Sequence, residues 1–136
     1  MIARMHPRTA PFLDGESYGL RVEVAERRGA HVVSLIGEAG VWNTAPLESA
    51  IGALLAREPC HVVIDLADCT LLSSLAIAAI ISLHRGVRVR GGVIRLAAAE
   101  PPVLEIIHTL RLEQLFPVHA TVTEALGAAG GTGRLR

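Results

Sequence analysis

Six residues, His61-Val62-Val63-Ile64-Asp65-Leu66, restrict this chain more than any other stretch. An apolar run without alternation is the pattern of a strand covered on both faces, as in a parallel sheet, and not of a half-exposed hairpin strand. Parallel neighbours need crossover connections, and a greasy, helix-like segment follows at once, Ser73-Ser74-Leu75-Ala76-Ile77-Ala78-Ala79-Ile80-Ile81-Ser82-Leu83. The expected class is therefore α/β.

The rest of the chain extends that expectation. Leu20, Val22 and Val24 alternate with Arg21 and Glu23, which is strand periodicity, and Arg28-Gly29 turns it into a second strand at Ala30-His31-Val32-Val33. Asn43 or Thr44 can cap a helix whose first turn holds Pro46 and whose inward positions are Leu47, Ile51, Leu54 and Leu55. Gly91-Gly92 leads into a strand at Val93-Ile94-Arg95-Leu96. Pro101-Pro102 opens a helix with Val103, Ile106, Ile107 and Leu110 inward. Leu115-Phe116-Pro117-Val118 fits a short edge strand, because Pro117 has no N–H to give to a central one. Thr121 and Glu124 form a capping box, and Gly127 is the expected helix stop. The reading is one domain over residues 18–127, a mixed sheet of about four to five strands against about four helices. A loose arm is expected at 1–17 and a disordered tail at 128–136.

Composition narrows what such a domain does. The chain is 51% hydrophobic and 3% aromatic, so its core is built from Ala, Val, Leu and Ile. Thirteen basic residues, all Arg, balance thirteen acidic ones, which gives no bulk field for nucleic acid or an anionic membrane. The longest apolar run is too short to span a bilayer, and no signal-peptide pattern is present. Cys60 and Cys69 make no CxxC pair and read as reduced thiols of a cytoplasmic protein.

The serine pair admits two readings of one geometry. A serine before an apolar helix is a natural N-cap, worth about 1 kcal/mol. A helix N-terminus also accommodates a phosphate, which would place negative charge beside whatever apolar surface follows. Leu75, Ile77, Ala78, Ile80, Ile81 and Leu83 leave almost no polar face, so this helix is either fully buried or docked on a partner.

At this point the chain resembles a known family. Val62-Val63-Ile64-Asp65-Leu66 with Leu72-Ser73-Ser74-Leu75-Ala76-Ile77-Ala78 looks like the signature of STAS domains, the anti-sigma-factor antagonists and their relatives. In that pattern a strand ending Asp-Leu is followed by a short loop and Asp-Ser-Ser-Gly-Leu-Gly. Residues 36–51 are similar to the family's Gly-Glu-Leu-Asp segment and first helix, and residues 91–126 to its C-terminal half. The resemblance implies a non-enzymatic switch that binds an anti-sigma factor of the serine-protein-kinase type, releases its sigma factor, and is cancelled by phosphate on Ser74, or on Ser73 if the register slips by one. It also implies a docking surface of Asp68, Ser73, Ser74, Leu75, Ile77, Ala78 and Ile81, with Asp65 as the structural strand-end aspartate. The match has departures: Ser73 replaces the motif aspartate, Leu75-Ala76 replaces Ser-Gly, Ala78 replaces the second glycine, and Ala39-Gly40 replaces Leu-Asp. The alternatives left open are a STAS subunit that docks without phosphorylation, in a stress-signalling or transport complex, and a small-ligand or nucleotide binder. A homodimer is also open.

Other residues give weaker signals. Asp65 is a candidate for bonding backbone N–H groups in its own loop. Arg85, Arg88, Arg90 and Arg95 form a candidate anion patch, or simply the solvated end of a helix. Cys60 and His61 point to opposite faces of a strand, and the six histidines show no metal-ligand spacing. No cofactor is implied. No G-x-S-x-G elbow supports a hydrolase built on Ser73, Ser74, His84 and Asp65.

Overall fold

The computed structural model describes residues 15–17 and 19–135. The elements are β1 (Gly15–Ser17), β2 (Leu20–Arg27), β3 (Ala30–Ala39), α1 (Ala45–Leu55), β4 (His61–Asp65), β5 (Cys69–Leu72), α2 (Ser74–Arg88), β6 (Val93–Ala97), α3 (Pro101–Thr109), a 3-10 turn (Leu112–Gln114), β7 (Val118–His119) and α4 (Val122–Leu135). One mixed sheet has the order β1-β2-β3-β4-β6-β7, with β5 pairing β3 beyond the end of β4.

The β2–β3 hairpin turns at Arg28 and Gly29, both at positive φ (54° and 80°), the conformation whose twist suits a two-residue hairpin loop. β3, β4 and β6 run parallel with Val33 opposite Ile64 and Ile64 opposite Leu96, so the continuous apolar run of β4 lies mid-sheet. Gly37, at φ 105°, sits where β3 breaks register and passes from β4 to β5; a Cβ there would lie 2.0 Å from the Gly19 carbonyl oxygen.

The core is asymmetric. On one face Leu20, Val22, Leu35, Ile64 and Leu96 meet Leu47 and Leu54 of α1, Ile80 and Leu83 of α2, and Ile107 of α3. On the other, Ala125 and Leu126 of α4 pack against Ala30, Val32, Val63 and Ala97. The four helices thus cover both faces of β4, as its uninterrupted apolar pattern requires.

Two boundaries differ from the sequence reading. Gly15–Ser17, inside the expected arm, pair antiparallel with β2; residues 1–14 and 18 lie outside the described residues. The last helix does not stop at Gly127 but continues to Leu135, through most of the expected tail, while Arg136 lies outside the described residues. Its start matches: Thr121 Oγ1 accepts from the Glu124 N–H at 3.0 Å, while the Glu124 carboxylate accepts from the Ala120 N–H at 3.3 Å. The sheet has seven strands, because β1 and β5 join those the sequence suggested.

Candidate functional site

In a parallel sheet with helical crossovers, loops after the strands and helix N-termini collect at one end of the domain. That end carries the serine pair. The Ser73 N–H donates to the Ala39 carbonyl at 2.8 Å, which fastens the start of α2 to the end of β3. Ser73 is extended (φ −78°, ψ 168°), and its hydroxyl oxygen accepts from the Ala76 N–H at 3.2 Å. It is the N-cap of α2. Ser74 is the first helical residue, is exposed, and its hydroxyl makes no hydrogen bond among the described residues. The two hydroxyls are therefore not equivalent: one caps the helix and the other is exposed and unbonded.

The N-cap also fixes which way α2 faces. Ala76, Ile77, Ile80, Leu83, His84 and Val87 point inward, whereas Leu75 is 48% exposed and Ala78 and Ser82 face solvent. The expectation that Ile77 belongs to the docking surface is corrected, since it is a core residue at 7% exposure. Ile81 is half-buried at the edge of that core. So the helix is neither fully buried nor wholly free: one face completes the core, and the other forms with α1 a groove of about 450 Å³ lined by Ile51, Leu55, Leu75, Ala78, Ala79 and Ser82.

The loop before α1 adds residues that sequence reasoning missed. Val41 is 54% exposed and Trp42 59%. The loop is closed from inside by buried Asn43, whose Oδ1 accepts from the Gly40 N–H at 2.8 Å and whose Nδ2 donates to the Glu38 carbonyl at 2.9 Å. The indole lies over Gly40 so closely that a Cβ at this position would be 2.6 Å from the ring. Where the motif segment has an aspartate this chain has Gly40 under an indole, and any side chain there would have to displace the exposed ring. The signal for this was an apolar pair, Val41-Trp42, in a segment with no other reason to be apolar.

Two exposed carboxylates lie on the segments beside β5, which leads to the serines. Asp68 is exposed in the β4–β5 loop, and its carbonyl accepts from the Gly37 N–H at 2.9 Å; Glu38 is exposed next to that point. The Asp65 carboxylate accepts from the Ala67 N–H at 3.0 Å and from the Ser34 hydroxyl at 3.3 Å.

The four-arginine patch does not assemble. Arg85 and Arg88 are exposed at the far end of α2, and Arg90 lies 3.7 Å from Glu58. Arg95 is 7% exposed on β6, with its Nη1 3.2 Å from His119 Nε2. Strand alternation sends its side chain to the α4 face, away from the Ile94 and Leu96 side of β6. A serine-hydrolase grouping fails as well, because His84 is buried edge-on against Phe116, ring centroids 5.1 Å apart, facing the core. Burial, then Arg88 and Arg85, keep its imidazole below the usual histidine range. Burial pushes the Cys69 thiol up to about 11, so it is an inert core group; Cys60 is exposed. Among the described residues no cluster of His, Cys, Asp and Glu could hold a metal ion, and no helix is long and apolar enough to cross a membrane.

The STAS domain family model matches residues 21–125. The anti-sigma-F factor antagonist RsfB of Mycobacterium tuberculosis is 36% identical over 116 residues, which span 82% of this chain and 92% of that protein. The anti-sigma F factor antagonist of Paenibacillus polymyxa is 22% identical over 108 residues, 79% of this chain and 92% of its own. Among solved structures, an anti-sigma factor antagonist from Mycobacterium paratuberculosis superposes with a TM-score of 0.74 at 29% identity, covering 90% of this chain and 98% of that one. The chain belongs to the STAS domain family.

Proposed function

We propose that this STAS domain is an anti-sigma-factor antagonist: its serine end docks on an anti-sigma factor of the serine-protein-kinase type, and phosphate on Ser74 ends the contact. The observation that carries the reading is the division of labour between the two hydroxyls. Ser73 is committed to the cap, whereas Ser74 stands exposed and unbonded beside the exposed Leu75. A phosphate there brings about −1.5 to −2 charges next to the apolar Leu75, at the end of the domain that also carries Glu38 and Asp68. The nearest cation on the same helix is Arg85, eleven residues on, or about 16 Å along the axis at about 1.5 Å per residue, too far to compensate. Repulsion and desolvation then oppose docking. In this reading the protein has no enzymatic activity of its own and acts in the cytoplasm, where sigma factors work.

The departures at Ser73 and Gly40 favour a second reading, a docking module that is never phosphorylated. Incubation with the cognate anti-sigma kinase, Mg²⁺ and ATP, followed by intact-mass and peptide mass spectrometry, separates the two. One phosphate on the wild type and none on Ser74→Ala establishes the switch; binding without phosphate leaves a constitutive antagonist. A phosphate retained by Ser74→Ala moves the acceptor to Ser73. No binding by either form overturns the proposal.

A further inference from the structure

We infer that copies of this chain associate head to tail, the acidic serine end of one against the basic opposite end of the next. The sequence is balanced at thirteen charges of each sign, but the fold separates them. Exposed Glu38, Asp68, Glu48 and Glu100 stand at the ends of β3, β4 and β6 and at the starts of α1 and α3, with no salt bridge to any of the four among the described residues. Exposed Arg27 and Arg28 are on the β2–β3 hairpin, Arg57 follows α1, and Arg85, Arg88 and Arg90 end α2, all at the other end of the same parallel strands. Among the described residues Glu26, which meets His31, Glu58, which meets Arg90, and Glu113, which meets His108 after α3, offset them there in part.

Helix dipoles account for part of this, because acids suit N-termini and cations C-termini. They do not account for Glu38 and Asp68 on strand and loop, nor for Arg27 and Arg28 on a hairpin. Ten residues of strand separate Arg28 from Glu38, about 33 Å at about 3.3 Å per residue. That exceeds the Debye length of about 8 Å at physiological ionic strength, so the two ends act on neighbours independently.

Each end also exposes apolar surface to exclude water from such a contact: Val41, Trp42 and Leu75 at the acidic end, and Val89, 80% exposed, between Arg88 and Arg90 at the basic end. A contact between unlike ends is heterologous and can repeat from copy to copy, so growth with concentration is expected in place of a fixed dimer. The inference does not depend on the proposed partner, although the same acidic end would serve both.

Sedimentation velocity and light scattering on the purified chain alone test it. At low ionic strength, about 0.01 M, the weight-average mass should rise steadily with concentration, and it should return to the monomer at about 1 M, where the Debye length is about 3 Å. The double variants Arg85→Glu/Arg88→Glu and Glu38→Arg/Asp68→Arg alter exposed side chains, and each alone should stay monomeric. An equimolar mixture of the two should associate again, but only into pairs, because the acidic end that the first variant keeps faces the basic end that the second keeps, while each altered end is left near neutral. A wild type that is monomeric at low salt overturns the inference. So does association that persists at high salt, that survives either double variant, or that fails to return on mixing.

Discussion

Ser73 and Ser74 are adjacent in sequence and opposite in role, so alanine at each position should have unlike consequences. Ser73→Ala removes the only side-chain cap of α2. The lost contact is a half-buried hydrogen bond to the Ala76 N–H, at 3.2 Å somewhat long for its kind. Cap deletions cost about 0.5–2 kcal/mol, and a long, partly solvated bond belongs near the middle, about 1 kcal/mol. For a domain of this size that lowers the melting temperature by about 3–5 °C. Ser74→Ala removes a hydroxyl that bonds to nothing and adds a good helix former at the first helical position, so its effect should stay within about 0.5 kcal/mol. Ser73→Asp keeps a capping oxygen and sets a carboxylate at the positive end of α2, and should cost nothing. Circular dichroism melts and urea titrations on the three variants and wild type measure all of this. If Ser74→Ala is as destabilising as Ser73→Ala, the assignment of cap and free hydroxyl is wrong, and with it the choice of phosphoacceptor.

Further outcomes follow from the same packing. Ile77→Ala should cost about 2–5 kcal/mol of stability, because it opens a hole under α2. Leu75→Ala and Trp42→Ala should leave stability within about 0.5 kcal/mol and instead weaken anti-sigma binding by about thirtyfold, the mark of a hot-spot loss near 2 kcal/mol; the reverse pattern in titration calorimetry would invert the assigned faces. Gly40→Asp, which restores the motif residue, must move the indole, since its Cβ would sit 2.6 Å from the ring. The emission of Trp42, the single tryptophan, should shift, and an unchanged spectrum would refute the stacking. Burial holds His84 and His119 below the ordinary histidine value of 6.5, so the unfolded chain binds protons more readily than the native one. Their contribution to stability is complete above about 6.5 and shrinks as pH falls toward the native values; a melting temperature flat from pH 7 to 5 would contradict it. A thiol reagent at pH 8 should titrate Cys60 at once and Cys69 only on unfolding; rapid reaction of both would contradict the burial of Cys69.

What could be read from the sequence was whatever depends on neighbouring residues. The Arg28-Gly29 turn, the helix starts near Thr44 and Ser73, the apolar run of β4 and the capping box at Thr121 each carry their own chemistry. β5 could not be read that way: Cys69-Thr70-Leu71-Leu72 becomes a strand only because β3 continues past its bulge at Gly37 and offers it an edge. The glycines after 127 argue for a stop on backbone entropy, yet α4 runs on to Leu135. The site was half legible. The serine pair stood out, but an all-apolar helix does not announce its inward face. The cap at Ser73 and the packing of Ala76, Ile80 and Leu83 decide that Ile77 is core and Leu75 is surface. Arg95 looked like a neighbour of Arg85 and Arg88 because the sequence is linear; a strand's alternation sent it to the opposite face of the sheet.

The two departures at this site have one physical consequence. Where the family motif segment has an aspartate, this chain has Gly40 under an exposed indole, and where the motif has a second, it has the capping hydroxyl of Ser73. Both exchanges remove negative charge beside the free hydroxyl of Ser74, and one adds apolar contact area. A surface so altered gains more from burying Trp42, Val41 and Leu75 than from pairing charges, and so should be less sensitive to salt than one with both carboxylates. It should also respond more strongly to a phosphate, because the same charge is then introduced into a site that excludes more water. The losses that put the chemistry of Ser74 in question therefore increase what that chemistry would accomplish if a kinase reaches it.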